Sequence, residues 1–132
     1  MRLRGWIAPV MVGVAVAAGM AIASPASAAG GGCFTAVRSG WNIGVCSSDN
    51  GSSVFGDIYI NSRGTFSSCS VSYKLVTSNS GTLLKQRGNH SCTTGHHSAI
   101  SAAMPAGGAI TVMTLTVNGN STYLTGSSPR AY

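Results

Sequence analysis

Along residues 69–75 apolar and polar side chains alternate. Cys69, Val71, Tyr73 and Leu75 fall on one side, and Ser70, Ser72 and Lys74 on the other. A period of two predicts a strand with one face in a core. The turn signal Asn79-Ser80-Gly81 follows, and Thr82–Arg87 can return antiparallel across it. The strongest hairpin signal lies further on, where the β-branched run Ile110–Val117 meets Asn118-Gly119 and continues into Ser121–Thr125. Earlier strands are predicted at Phe34–Arg38, Asn42–Cys46 and Val54–Asn61, with Asp49-Asn50-Gly51 turning the chain between the last two. In the third of these, Ile58 and Ile60 share one face, and Asp57 and Tyr59 the other. Ser98–Met104 fits a strand or a short helical turn, ended by Pro105 and Gly107-Gly108, while Gly30-Gly31-Gly32 reads as a flexible leader. About seven short strands separated by turn signals predict an all-β fold, an antiparallel immunoglobulin-like β-sandwich.

The first residues follow another pattern. Arg2 and Arg4 precede an apolar stretch from Trp6 to Ile22, and Ala26-Ser27-Ala28 places small residues where a signal peptidase reads. These features predict a secretory signal peptide over 1–28, cleaved after Ala28, and a single exported domain over 29–132. The apolar run falls short of the roughly 20 residues of a spanning helix, so no stable membrane insertion is expected after cleavage.

Charge narrows the chemistry. Only 8% of the 132 residues are charged, against about 25% in an ordinary domain. Two are Asp, and none is Glu. After cleavage Arg38, Arg63, Lys74, Lys85, Arg87 and Arg130 stand against Asp49 and Asp57, a net charge of +4. The cations are scattered, without the clustered basic stripe of a nucleic-acid binder. Four cysteines remain, Cys33, Cys46, Cys69 and Cys92, and exported thiols oxidise. Three connectivities are open; the sequential one, Cys33–Cys46 and Cys69–Cys92, is expected because each pair flanks a hairpin. Each closed loop would then contribute about 3 kcal/mol.

Little of the sequence points to catalysis. There is no Gly-x-Ser-x-Gly elbow and no His-Glu-x-x-His. Asp49 sits where its side chain bonds its own turn, and Asp57 is expected in an ion pair or turn contact. His90, His96 and His97 lie around Cys92 in a segment that reads as too polar for a core, as loop polarity or a pH-responsive pair. A zinc site there would need Cys92 reduced and lacks a second Cys-x-x-Cys, so neither metal nor other cofactor is expected. Asn50, Asn89 and Asn120 head glycosylation triplets, which carry sugar only in a host that glycosylates exported proteins. Candidate contact residues are Trp41, Tyr59, Arg63 and Tyr132, types enriched in binding hot spots. For Trp41 a core position packed on a disulfide competes with an exposed one. Arg130 and Tyr132 read as a short exposed tail able to dock on a partner.

The segment Trp41-x-x-Gly44-Val45-Cys46-Ser47-Ser48-Asp49-Asn50-Gly51, the Gly-rich start and the late Ser128-Pro129 resemble small exported proteins of filamentous soil bacteria. The chain is loosely similar to the adaptor subunit of umbrella toxin particles, in which a cysteine-stabilised β-domain joins a lectin subunit to a stalk protein. That resemblance implies a binding role without an active site, and another secreted protein as partner. Proteins of the subtilisin-inhibitor type are also similar in size and in sequential disulfides. This chain departs from them after Cys69, where Ser70-Val71-Ser72-Tyr73 lacks the prolines and Met of their reactive loop. The expectation is therefore a secreted non-enzymatic protein-binding module, an adaptor or subunit of an extracellular complex, with a secreted protease inhibitor or a small secreted hydrolase as alternatives.

Overall fold

The computed structural model describes residues 30–132, and the signal-peptide assignment lies outside the described residues. Eight strands follow one another: β1 (Gly31–Arg38), β2 (Trp41–Asp49), β3 (Ser53–Ser62), β4 (Cys69–Thr77), β5 (Leu83–His90), β6 (Gly95–Ala103), β7 (Ala109–Val117) and β8 (Asn120–Ser127). They form two four-stranded antiparallel sheets, β1-β2-β3-β6 and β5-β4-β7-β8. The architecture is the expected all-β sandwich with two disulfides, built from eight strands rather than about seven. Both disulfides pair sequentially, Cys33 with Cys46 and Cys69 with Cys92.

Turn chemistry sets the hairpins. Ser39 and Gly40 take φ of 45° and 87° between β1 and β2, and Asn118 and Gly119 take 50° and 82° between β7 and β8. Two successive left-handed residues are the tight turn whose twist matches that of paired strands. The Asn118 side-chain oxygen also accepts from the Ser67 and Ser68 amides at 2.8 and 3.0 Å, which fastens the β3–β4 connection to this turn.

Between the sheets, alternating side chains meet. Trp41, Ile43 and Val45 of β2 and Ile58 and Ile60 of β3 face Val71 and Tyr73 of β4 and Met113, Leu115 and Val117 of β7. A smaller cluster of Val54, Leu75, Ala109 and Ala131 continues the core toward the opposite end. Gly56 lies close against the facing sheet: a Cβ there would stand 2.3 Å from Thr111 Oγ1 and 3.0 Å from a Leu75 methyl. Gly56→Ala is therefore expected to destabilise by about 1–3 kcal/mol through overpacking. A urea titration returning wild-type stability would contradict that close approach.

Three sequence expectations are corrected. The Gly-rich leader is not a free arm, because Gly31 and Gly32 belong to β1 and the Gly30 amide donates to Asp49 Oδ2 at 2.7 Å. Of the two readings of Ser98–Met104 the strand holds, with corrected bounds, as β6 starts at Gly95 and ends at Ala103. His97 is buried despite its polar surroundings. It stands opposite Ile58 on the inward side of β6, with Nδ1 at 2.8 Å from His90 Nε2 and Nε2 at 2.7 Å from the Thr93 carbonyl.

Candidate functional site

Strand parity decides which side chains reach solvent. On β3, Ile58 and Ile60 point inward, so Asp57 and Tyr59 stand on the outer face of the first sheet. Antiparallel pairing sets Tyr59 beside Gly44 on one neighbour and His96 on the other. Gly44 offers no side chain to cover the tyrosine, whose ring lies 4.6 Å from the His96 ring, centroid to centroid. His96 Nε2 is 2.7 Å from Asp57 Oδ2, so Asp57 has a side-chain hydrogen-bond partner, a histidine of the neighbouring strand. Close by, the Asn61 amide donates to the Asn42 side-chain oxygen at 3.0 Å. The result is an outward-facing group of one aromatic, one imidazole and several amide or carboxylate groups held on paired strands.

A second group sits just beyond the end of β3. Trp41 is 0% exposed and belongs to the core with Cys69 and Cys92, which is the packed-on-disulfide alternative for this residue. Its ring is covered from outside by Phe66, 5.5 Å away, which is itself 36% exposed. Arg63 lies over the Phe66 ring at 5.6 Å and donates to the Cys92 carbonyl at 3.3 Å. Guanidinium and aromatic face attract each other electrostatically, so the two side chains hold one another on the surface. Phe66 thus contacts both Trp41 and Arg63.

Tyr132 is apart from both groups. It is 66% exposed, with Arg130 over its ring at 4.4 Å. The tail is less free than its composition suggests, because Ala131 is fully buried and exchanges two 2.9 Å backbone hydrogen bonds with Ala109. The structure thus joins Trp41 and Arg63, sets Tyr59 on the adjoining strand, and leaves Tyr132 elsewhere. Phe66 escaped sequence reasoning because it lies in a connection without periodicity. His96 escaped because its neighbours come from a strand 39 residues away in sequence.

The chemistry available is limited. Among the described residues no three His, Cys, Asp or Glu side chains gather as a metal-ligand set. Asp49 accepts from the Gly51 amide at 3.0 Å, the turn bond expected of it, and from Gly30. The Ser70–Tyr73 segment is part of β4, paired on both sides by β5 and β7, and is not a projecting loop. No helix among the described residues is long and apolar enough to cross a membrane. Compared with protein-family models, curated proteins and solved structures, the chain matches none of them.

Proposed function

We propose that the protein is a secreted, non-catalytic binding module, an adaptor or subunit of an extracellular complex, whose partner is another secreted protein. The observation that carries this reading is the surface along and beyond β3. Tyr59 and Phe66 are both part-exposed, each is held by a polar neighbour, and Phe66 rests on the buried Trp41. Aromatic and arginine side chains fixed on a rigid support lose little freedom on binding, which is why they dominate interface energetics. The free edge of β1 adds unpaired backbone groups to which a partner strand can bond. Two disulfides fit an oxidising compartment and keep that support stiff.

The test is capture of a stoichiometric partner by the tagged, exported protein from the culture medium of its own host. The affinity is then measured for variants. Tyr59→Ala and Arg63→Ala are each expected to weaken binding about 30-fold, the scale of a hot-spot residue. Thermal stability should stay within about 0.5 kcal/mol, as for exposed substitutions. Recovery of no stoichiometric partner, or turnover of a substrate by the purified protein alone, overturns the reading.

A further inference from the structure

His90 and His97 meet where the edge strand of one sheet lies beside the edge strand of the other. His90 closes β5, and His97 lies near the start of β6. Three contacts link them to the backbone and to each other. His90 Nδ1 is 2.8 Å from the Gly88 carbonyl, His90 Nε2 is 2.8 Å from His97 Nδ1, and His97 Nε2 is 2.7 Å from the Thr93 carbonyl.

The protons can be counted. A carbonyl oxygen only accepts, so His90 Nδ1 and His97 Nε2 must both donate. A neutral imidazole carries one N–H, and both are now used. The nitrogens left facing each other at 2.8 Å are then two lone pairs, with no proton between them. Three hydrogen bonds need three protons, one more than two neutral rings supply.

We propose that His90 and His97 form a proton-operated clasp between the two sheets, closed when the pair holds one extra proton between His90 Nε2 and His97 Nδ1 and open when both rings are neutral. The surroundings bear on that proton. Burial holds His90 below the ordinary histidine value of 6.5; the nearby Arg87 guanidinium and His97 add to this, against the Gly88 carbonyl, which raises it. Facing groups supply no counter-charge. From β4, the Tyr73 ring meets His90 edge-on at 5.7 Å, and its hydroxyl accepts from Arg87 at 3.1 Å and donates to the Ser98 carbonyl. From β3, Ile58 stands opposite His97, while Asp57 is engaged with His96 on the other face. Arg63 is engaged with the Phe66 ring and the Cys92 carbonyl in the β5–β6 connection, and Asp49 is bonded to Gly30 and Gly51. Burial therefore disfavours the extra proton on His90, and the charge-assisted N–H···N bond is what the closed pair gains in return. A divalent ion could also use two facing lone pairs. It would bring a larger charge beside Arg87, and among the described residues no third His, Cys, Asp or Glu completes a ligand set. The clasp stands independently of the proposed binding role.

Ring-nitrogen NMR on the ¹⁵N-histidine-labelled exported protein, with chelator present, tests this from about pH 8 to about pH 5. Below the transition a through-bond coupling between His90 Nε2 and His97 Nδ1 is expected, and it should vanish above it, with both rings shifting in one joint step. In His90→Gln neither the coupling nor the joint step should appear. A coupling that persists unchanged at the alkaline end, or never appears, overturns the proposal. So do two rings that titrate independently, or shifts that follow added zinc rather than pH.

Discussion

Trp41→Ala is expected to lower the unfolding free energy by about 3–5 kcal/mol, the range for deleting a large buried aromatic. In a domain of this size that corresponds to a fall in Tm on the order of 20 °C. The side chain is fully buried where β2 begins, among Ile43, Ile60, Val117 and the Cys69–Cys92 pair. Collapse around the vacated space is obstructed, because Gly64 passes so near that a Cβ there would stand 2.6 Å from the indole nitrogen. Phe66, which rests on the indole, would lose its support as well. Trp41→Phe separates volume from polarity. The indole Nε1 is buried without a hydrogen-bond partner, so phenylalanine loses area but also removes an unsatisfied donor, and a smaller cost is expected. Circular dichroism under urea is the suitable readout, since the substitution removes the fluorophore. An effect below about 0.5 kcal/mol for Trp41→Ala would mark the residue as a surface aromatic instead.

Much of the sandwich was legible because the central strands β3, β4 and β7 bury chiefly one face, although β2 is buried on both from Ile43 to Ser47. In β7 buried and half-buried residues alternate along the whole length, and from Met113 to Val117 the sequence carries the matching alternation of apolar residues with Thr, whereas at Thr111 the buried position is polar. Asn118-Gly119 announced its own hairpin through the left-handed backbone it tolerates. Edge strands were harder. In β6 the residues from Ser98 to Ala103 are mostly small, and an irregularity opposite Asp57 breaks the period of two. For β1 the composition misled: Gly31 and Gly32 looked like slack chain, yet Gly31, at φ 108°, lies so close to Ser47 that a Cβ would stand 2.1 Å from its carbonyl oxygen. Flexibility in the unfolded chain and close approach in the folded one select the same residue. The division of strands between sheets was not legible, since β3 to β4, β5 to β6 and β6 to β7 each cross from one layer to the other.

For the candidate site, local signals worked and non-local ones did not. The parity of Ile58 and Ile60 was enough to turn Tyr59 and Asp57 outward. Trp41 could have been placed by the same rule, because Trp41, Ile43 and Val45 share one parity while Asn42 and Gly44 take the other. His97 was misjudged from its neighbours' polarity, when its position opposite Ile58 depends on a pairing no local window contains. Phe66 joins Arg63 to Trp41 only after the β3–β4 connection has been pinned by Asn118, a contact across 51 residues.

Removing the two disulfides should have unequal effects, and the inequality tests how the layers are held. By chain entropy alone the loops, with sequence separations of 13 and 23, differ little, and each contributes about 3 kcal/mol. Their places in the fold differ much more. Cys33 and Cys46 are direct partners across β1 and β2, strands already joined by a ladder of backbone hydrogen bonds, and Cys33 is exposed. Cys69 opens β4 in the second sheet, while Cys92 lies in the connection that carries the chain into β6 of the first. Cys92 is also 4% exposed, within the main core, so its replacement removes packing as well as a constraint. Cys69→Ala/Cys92→Ala is therefore expected to cost more than about 3 kcal/mol, and Cys33→Ala/Cys46→Ala no more than that. Differential scanning calorimetry on the two double variants measures the difference. Equal losses would mean that loop closure accounts for both bonds and that the crossing between sheets needs no covalent support.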